Sequence, residues 1–178
     1  PLLLSCPRRE PITLEDDPML VRVCWWFAVP ALLLVLADLS RATVYGTARL
    51  SVSTSGTDPL GGDCDNPSIS ADGRFVAFDS QASNLVPGDT NGRRDCFVRD
   101  RVLGTTERVS LTHTGAQVLG AECALPRISA DGRYVIFQSL SSSLVTGDTN
   151  GVQDVFLRDR LLDTTVRVNL TSTGSQTM

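Results

Sequence analysis

The chain is poor in the residues that most enzymes and metal sites are built from. Its 178 residues include one histidine, His113, and five cysteines without a Cys-x-x-Cys pair. Zinc held by clustered Cys and His is thereby excluded. No Gly-x-Ser-x-Gly turn is present to hold an activated serine, which excludes a hydrolase centre of that kind. Basic excess is absent too. Sixteen Lys and Arg stand against 20 Asp and Glu, a formal charge of −4, and the arginines alternate with aspartates. That is a solvated mixed-charge surface and not a nucleic-acid face. After Leu39 there is no 3.6-residue apolar period, so a helical repeat is excluded.

Only one long apolar run occurs. Residues 1–18 carry Pro7, Pro11 and Pro18 among charges and are read as an unstructured upstream segment. Met19 reads as a start, followed by Arg22 and an uncharged run from Val23 to Ala37. That run is 15 residues, short of the roughly 20 that span a bilayer. It fits a secretory signal over 19–42, with cleavage after Ala42 or Ala37. A buried core helix and an uncleaved anchor are the alternatives, and the anchor is the only membrane contact expected. Export to the periplasm, the cell surface or the medium follows. Trp25 and Trp26 lie in the run and are no part of a mature binding face. No Leu-x-x-Cys ends it, so no lipoprotein is expected.

What the chain does have is a repeat. Residues 60–117 lie on 119–176 without a gap, at an offset of 59, with 36 identities in 58 positions. Such a period marks a stacked or radial architecture. Within one copy, Pro67–Ser70 reads as a short strand, and Asp72-Gly73 as a two-residue hairpin turn. Phe75–Phe78 reads as a strand buried on both faces. Residues 81–93 form a polar loop, and residues 95–101 are a third strand. The fourth, residues 106–112, alternates, with Val109 and Leu111 inward and Arg108 and Ser110 outward. In the second copy Val168 and Leu170 point in, Arg167 and Asn169 out. A partial third copy, Ala48–Gly56, aligns with Glu107–Gly115 and is read as a lone outer strand over 44–56. Four antiparallel strands per unit make the blade of a β-propeller. The expected fold is all-β: two four-stranded blades, 60–117 and 119–176, plus one N-terminal outer strand, within a domain covering 43–178. A ring needs about four to eight blades, so the chain is expected to be a fragment lacking C-terminal blades.

The stretch Pro67-Ser-Ile-Ser-Ala-Asp-Gly-Arg-Phe-Val-Ala-Phe78 returns as Pro126-Arg-Ile-Ser-Ala-Asp-Gly-Arg-Tyr-Val-Ile-Phe137. Asp95-Cys-Phe-Val-Arg-Asp100 returns as Asp154-Val-Phe-Leu-Arg-Asp159. Both motifs resemble the WD40-like repeat called PD40, the repeat of the TolB-type β-propellers. The resemblance covers about residues 44–176. It implies the propeller fold. It includes no counterpart of TolB's N-terminal helical domain, so it does not imply TolB's role in envelope integrity.

The sharpest candidate site is the loop Asp89-Thr-Asn-Gly-Arg-Arg-Asp95 and its copy Asp148-Thr-Asn-Gly-Val-Gln-Asp154. Oxygens of Asp89, Asn91 and Asp95, and of Asp148, Asn150 and Asp154, are of the kind that hold Ca²⁺. The Gly does not sit where an EF-hand needs it, and the alternative is an Asx-rich turn. Asp72-Gly73 and Asp131-Gly132 are read as turn residues. Arg99-Asp100-Arg101 and Arg158-Asp159-Arg160 are expected to pair between neighbouring strands. Cys64 and Cys123 are equivalent positions, and a bridge between them is one option in an oxidising compartment. The functional expectation is an exported, non-enzymatic scaffold for a protein, peptide or saccharide. The alternatives are the non-catalytic propeller domain of a larger hydrolase, resembling the prolyl oligopeptidases, and a calcium-stabilised surface protein.

Overall fold

The computed structural model describes residues 47–176, which contain eight strands. The N-terminal run read as an export signal lies outside the described residues. The first four strands are β1 (Cys64–Ile69), β2 (Phe75–Ser80), β3 (Asp95–Asp100) and β4 (Thr105–Arg108). The second four are β5 (Cys123–Ile128), β6 (Tyr134–Ser139), β7 (Asp154–Asp159) and β8 (Thr164–Arg167). Each set is a separate antiparallel sheet in sequence order, β1-β2-β3-β4 and β5-β6-β7-β8. These are the two expected blades.

Period-2 alternation builds the packing. On β2, Phe78 enters one apolar cluster with Ala82, Leu85 and Phe97, while Ala77 enters another. That second cluster is the junction of the blades. Ala77, Cys96, Val98, Val109 and Val118 come from the first, and Cys123, Val135, Phe137, Leu144 and Phe156 from the second. Within each sheet an aromatic pair sits in register, Phe78 on Phe97 at 5.8 Å and Phe137 on Phe156 at 5.9 Å. Fully burying a side chain of this size contributes about 1.5–3 kcal/mol.

Several local expectations are corrected. β1 begins at Cys64, earlier than Pro67, because a bulge between Asp65 and Ser68 lets the ladder skip Pro67, which has no N–H to give. Asn66 takes the positive φ of 52° there, and Leu125 one of 56°. The Asp-Gly turn is wider than two residues. Ser70 N–H donates to Phe75 O, and of the intervening residues only Gly73 has positive φ. The Ser70 hydroxyl donates to Asp72 Oδ1 at 2.6 Å and accepts from Phe75 N–H, which holds the broader loop.

The fourth strand stops at Arg108. Val109 and Ser110 both donate their N–H to Cys96 O, at 2.8 and 3.4 Å. Two residues on one acceptor shift the alternation. Ser110 is therefore buried rather than outward, and the Arg108 side chain is only 9% exposed. In the second blade Val168 and Leu170, expected inward, are 45% and 42% exposed. No described strand covers that face.

The partial third copy forms no strand over 47–53. It docks all the same, with the bonds its alignment requires. Thr106 Oγ1 donates to Val52 O as Thr165 Oγ1 does to Leu111 O. Thr54 N–H donates to Leu85 O as His113 N–H does to Leu144 O. Since β4 ends at Arg108, most of the aligned stretch corresponds to the connector after the strand and not to the strand itself.

Candidate functional site

Antiparallel order sends the β1–β2 and β3–β4 turns to one end of each blade. The β2–β3 loops and the connectors after β4 and β8 go to the other. Asp89, Asn91 and Asp95 lie at that loop end, and so do Asp148, Asn150 and Asp154. Each trio is brought together by the Asn. Asn91 Oδ1 accepts the Arg93 N–H at 2.9 Å, closing an Asx turn. Its Nδ2 donates to Asp95 Oδ2 at 2.8 Å and to Val118 O at 3.0 Å, tying the loop to the connector. Asn150 repeats the arrangement with Val152 N–H and Asp154.

A positive charge already stands among these oxygens. Arg108 Nη1 is 3.3 Å from Asp89 Oδ1 and 3.4 Å from Asp95 Oδ2. Arg167 Nη1 is 3.0 Å from Asp148 Oδ1 and 3.3 Å from Asp154 Oδ2. Ser110 Oγ gives its proton to Asp95 Oδ1 at 2.7 Å, and Asn169 Nδ2 donates to Asp154 Oδ1 at 2.6 Å. Gln117 Nε2 donates to Asp89 Oδ1 at 3.1 Å. Burial and the nearby Asp95 carboxylate push Asp89 up from its ordinary value; burial and Asp154 do the same to Asp148. Burial also pushes Asp154 up, but hydrogen bonds from Asn169, Asn150 and Arg167 outweigh it and the net shift is down. Among the described residues no group of three or more His, Cys, Asp or Glu is placed to hold a metal.

Sequence reasoning missed the guanidinium. Its signal was present, since Arg108/Arg167 and Gln117/Gln176 are identical pairs at the 59-residue offset. An arginine in an apparently outward strand position reads as surface until the bulge is known.

The opposite end carries the other candidate charges. Arg74 lies across Asp100 with Nε at 3.0 Å and Nη2 at 2.7 Å from Oδ2, and Arg133 holds Asp159 in the same way. These aspartates are buried, and each also accepts the N–H groups of the turn that follows it. Arg133 brings the Asp159 carboxyl down to about 2. Arg99 donates to Ser53 O and Thr106 Oγ1, and Arg158 pairs with Asp163 at 2.9 Å. Arg160 lies over the Phe75 ring at 4.3 Å and pairs with Glu107, bridging the blades. Ser129 donates to Asp131 within its turn as Ser70 does to Asp72. His113 is at the loop end, a blade length away from both serines.

Cys64, Cys96 and Cys123 are free thiols. A Cys64–Cys123 bridge is not formed, because equivalent positions lie one blade apart. Cys64 Sγ instead meets Ser80 Oγ at 3.3 Å, and Cys123 joins Cys96 in the junction core. Burial pushes the Cys123 thiol up to about 12 and Cys96 well above its usual range.

Two open grooves line the loop end. One, of about 500 Å³, has Leu85, Val86 and Pro87 beneath Thr54, Ser83 and Asn84. The other, of about 350 Å³, includes His113, Val145 and Thr146, the 59-residue counterparts of Thr54, Val86 and Pro87.

No protein-family model and no curated protein matches the chain. Solved structures do. TolB from Acinetobacter baumannii is 20% identical with a TM-score of 0.40, the match covering 68% of this chain and 24% of that one. A protein described as TolB from Agrobacterium tumefaciens is 19% identical with a TM-score of 0.38, covering 60% of this chain and 33% of that one. The chain thus spans between about a quarter and a third of the structures it matches. It is a chain of two four-stranded antiparallel propeller-type blades, similar in fold to the TolB β-propellers.

Proposed function

We propose that this chain is an exported, non-enzymatic scaffold that binds an extended peptide or saccharide across the loop end of its blades. The observation that carries the reading is the repetition of a groove at equivalent positions. Each has an apolar floor (Val86 or Val145) and polar side chains at its edge. An apolar base with a few polar groups is the usual make-up of a recognition site. Two such grooves one blade apart suit a ligand that itself repeats along its length. Ser70 and Ser129 are engaged as turn hydroxyls at the far end from His113, which supports binding rather than catalysis. Export rests on the apolar run from Val23 to Ala37. The Asp89 and Asp148 loops are read as arginine-clamped turns that shape the groove walls.

Arrays of peptides and of glycans, probed with the whole chain, test this. Hits are expected in one of the two arrays. Pro87→Arg together with Thr146→Arg, which fills both grooves from exposed positions, is expected to weaken them at least tenfold while the melting midpoint holds. Hits indifferent to both substitutions, or turnover of a bound compound, would overturn the reading.

A further inference from the structure

Two of the three described cysteines meet in one place. Cys96 on β3 and Cys123 on β5 are both fully buried, and both belong to the apolar core between the blades. Backbone bonds hold them there. Cys123 N–H donates to Arg94 O at 2.8 Å, which lays the first residue of β5 against the residue that precedes β3, two positions before Cys96. Ser110 stands beside both. Its Oγ accepts the Cys96 N–H at 3.0 Å and lies within hydrogen-bonding reach of the Cys123 thiol. Burial, and after it the nearness of Cys123, push the Cys96 thiol up. The repeat does not require a cysteine at the first of these places, since Val155 is the counterpart of Cys96 in the second blade. Cys64, the counterpart of Cys123, lies apart from the pair, against Ser80 Oγ.

We propose that Cys96 and Cys123 close into a disulfide that staples the two blades, formed while the chain folds and shut inside the junction afterwards. The compartment in which this happens rests on the export reading given above, because thiol pairs persist as disulfides in oxidising surroundings. The order of events follows from burial. A thiol must lose its proton to attack a disulfide, and it must be reached. Neither holds for Cys96 or Cys123 once the blades have docked. Before docking both are open. The Cys96 thiolate attacks one sulfur of a small disulfide such as oxidised glutathione and releases the other half as a thiolate. The Cys123 thiolate then attacks the Cys96 sulfur and releases the second half. Two protein thiols lose two protons and two electrons, and one small disulfide becomes two small thiols. The bridge joins positions 27 residues apart, as 123 − 96 = 27, and restricts the unfolded chain accordingly. The staple is independent of ligand binding at the loop end.

Peptide mapping tests the pairing. Trypsin puts the three described cysteines on separate peptides, residues 50–74, 95–99 and 109–127. The full chain is reduced in urea, refolded with reduced and oxidised glutathione, alkylated and digested. Peptides 95–99 and 109–127 are expected as one species, two hydrogens lighter than their sum, with Cys64 alkylated. Cys64→Ser should leave that species in place. Cys96→Val, which supplies the side chain the second blade has there, should abolish it. The bridged chain is expected to melt about 10 °C above the reduced one, and Cys96→Val to show no such difference. Oxidised glutathione added after the reduced chain has folded should give the linked peptides at least tenfold more slowly than when present during refolding. Cys96 and Cys123 both alkylated after refolding, either one linked to another cysteine, an unchanged melting midpoint, or equal rates of closure before and after folding would each overturn the proposal. The test does not depend on export. A chain found inside the cell on fractionation would remove the export reading and leave the pairing, whereas refolding without a link would remove the pairing and leave export.

Discussion

Gly73 and Gly132 hold the same place in the same turn, with φ of 70° and 75°, but not the same neighbours. A Cβ at Gly73 would make ordinary contact with Arg101, while a Cβ at Gly132 would run into the Phe75 ring of the preceding blade. Gly73→Ala is therefore expected to cost about 1–2 kcal/mol, the strain of a side chain in the left-handed region. Gly132→Ala should cost about 1–3 kcal/mol more, from overpacking. Urea denaturation of the two variants checks this, and equal costs would mean the junction is looser than described. Asp159 gives the second expectation. Arg133 holds its carboxyl at about 2. A lowered acid stabilises the fold at pH above its unfolded value of about 3.9 and loses that contribution as pH falls through the folded value. The stability gap between the native chain and Asp159→Asn should be full above about pH 5, narrow between about 4 and 2, and close below that. A gap independent of pH would mean that Asp159 acts only through the turn N–H groups it accepts.

For the strands and loops, the informative element is the connector after β4. The motifs around Phe75–Phe78 and Asp95–Asp100 made β2 and β3 legible, because alternation there is uninterrupted. The bulge at Val109 and Ser110 was not legible, since nothing in Arg-Val-Ser-Leu announces that two N–H groups share one carbonyl. It brings the Ser110 hydroxyl onto Asp95, while Arg108, the last residue of β4, holds its guanidinium within 3.4 Å of Asp89 and Asp95, among the oxygens the sequence offered as calcium ligands. Asp95→Ala is expected to cost about 3–5 kcal/mol, as when one partner of a buried ion pair is lost. On the same view, calcium in place of a chelator should leave the melting midpoint of the native chain unchanged. A calcium-dependent rise, removed by Asp89→Asn, would show the loop to be a metal site instead.

Over the molecule as a whole, the architecture was plain from the repeat, and the exceptions to it were not. Periodicity cannot say that Val168 is bare while Val109 is buried, because the two hold the same place in the repeat, each between an Arg and a polar residue followed by Leu-Thr. It also cannot separate Cys64 from Cys123, which hold the same place in the repeat while only Cys123 lies in the junction core. The bonds that fix the blades also explain why the two copies align without a gap. Each connection is measured at both ends: the wide turn by Ser70 and Phe75, the long loop by Asn91 on Val118, the connector by Ser110 on Asp95. Twenty-two of 58 side chains differ between the copies, yet no residue has been gained or lost. Inserting one would break a closure and turn an alternating face inside out. Such a gene can drift in spelling at many positions, but it can change in length only by whole units.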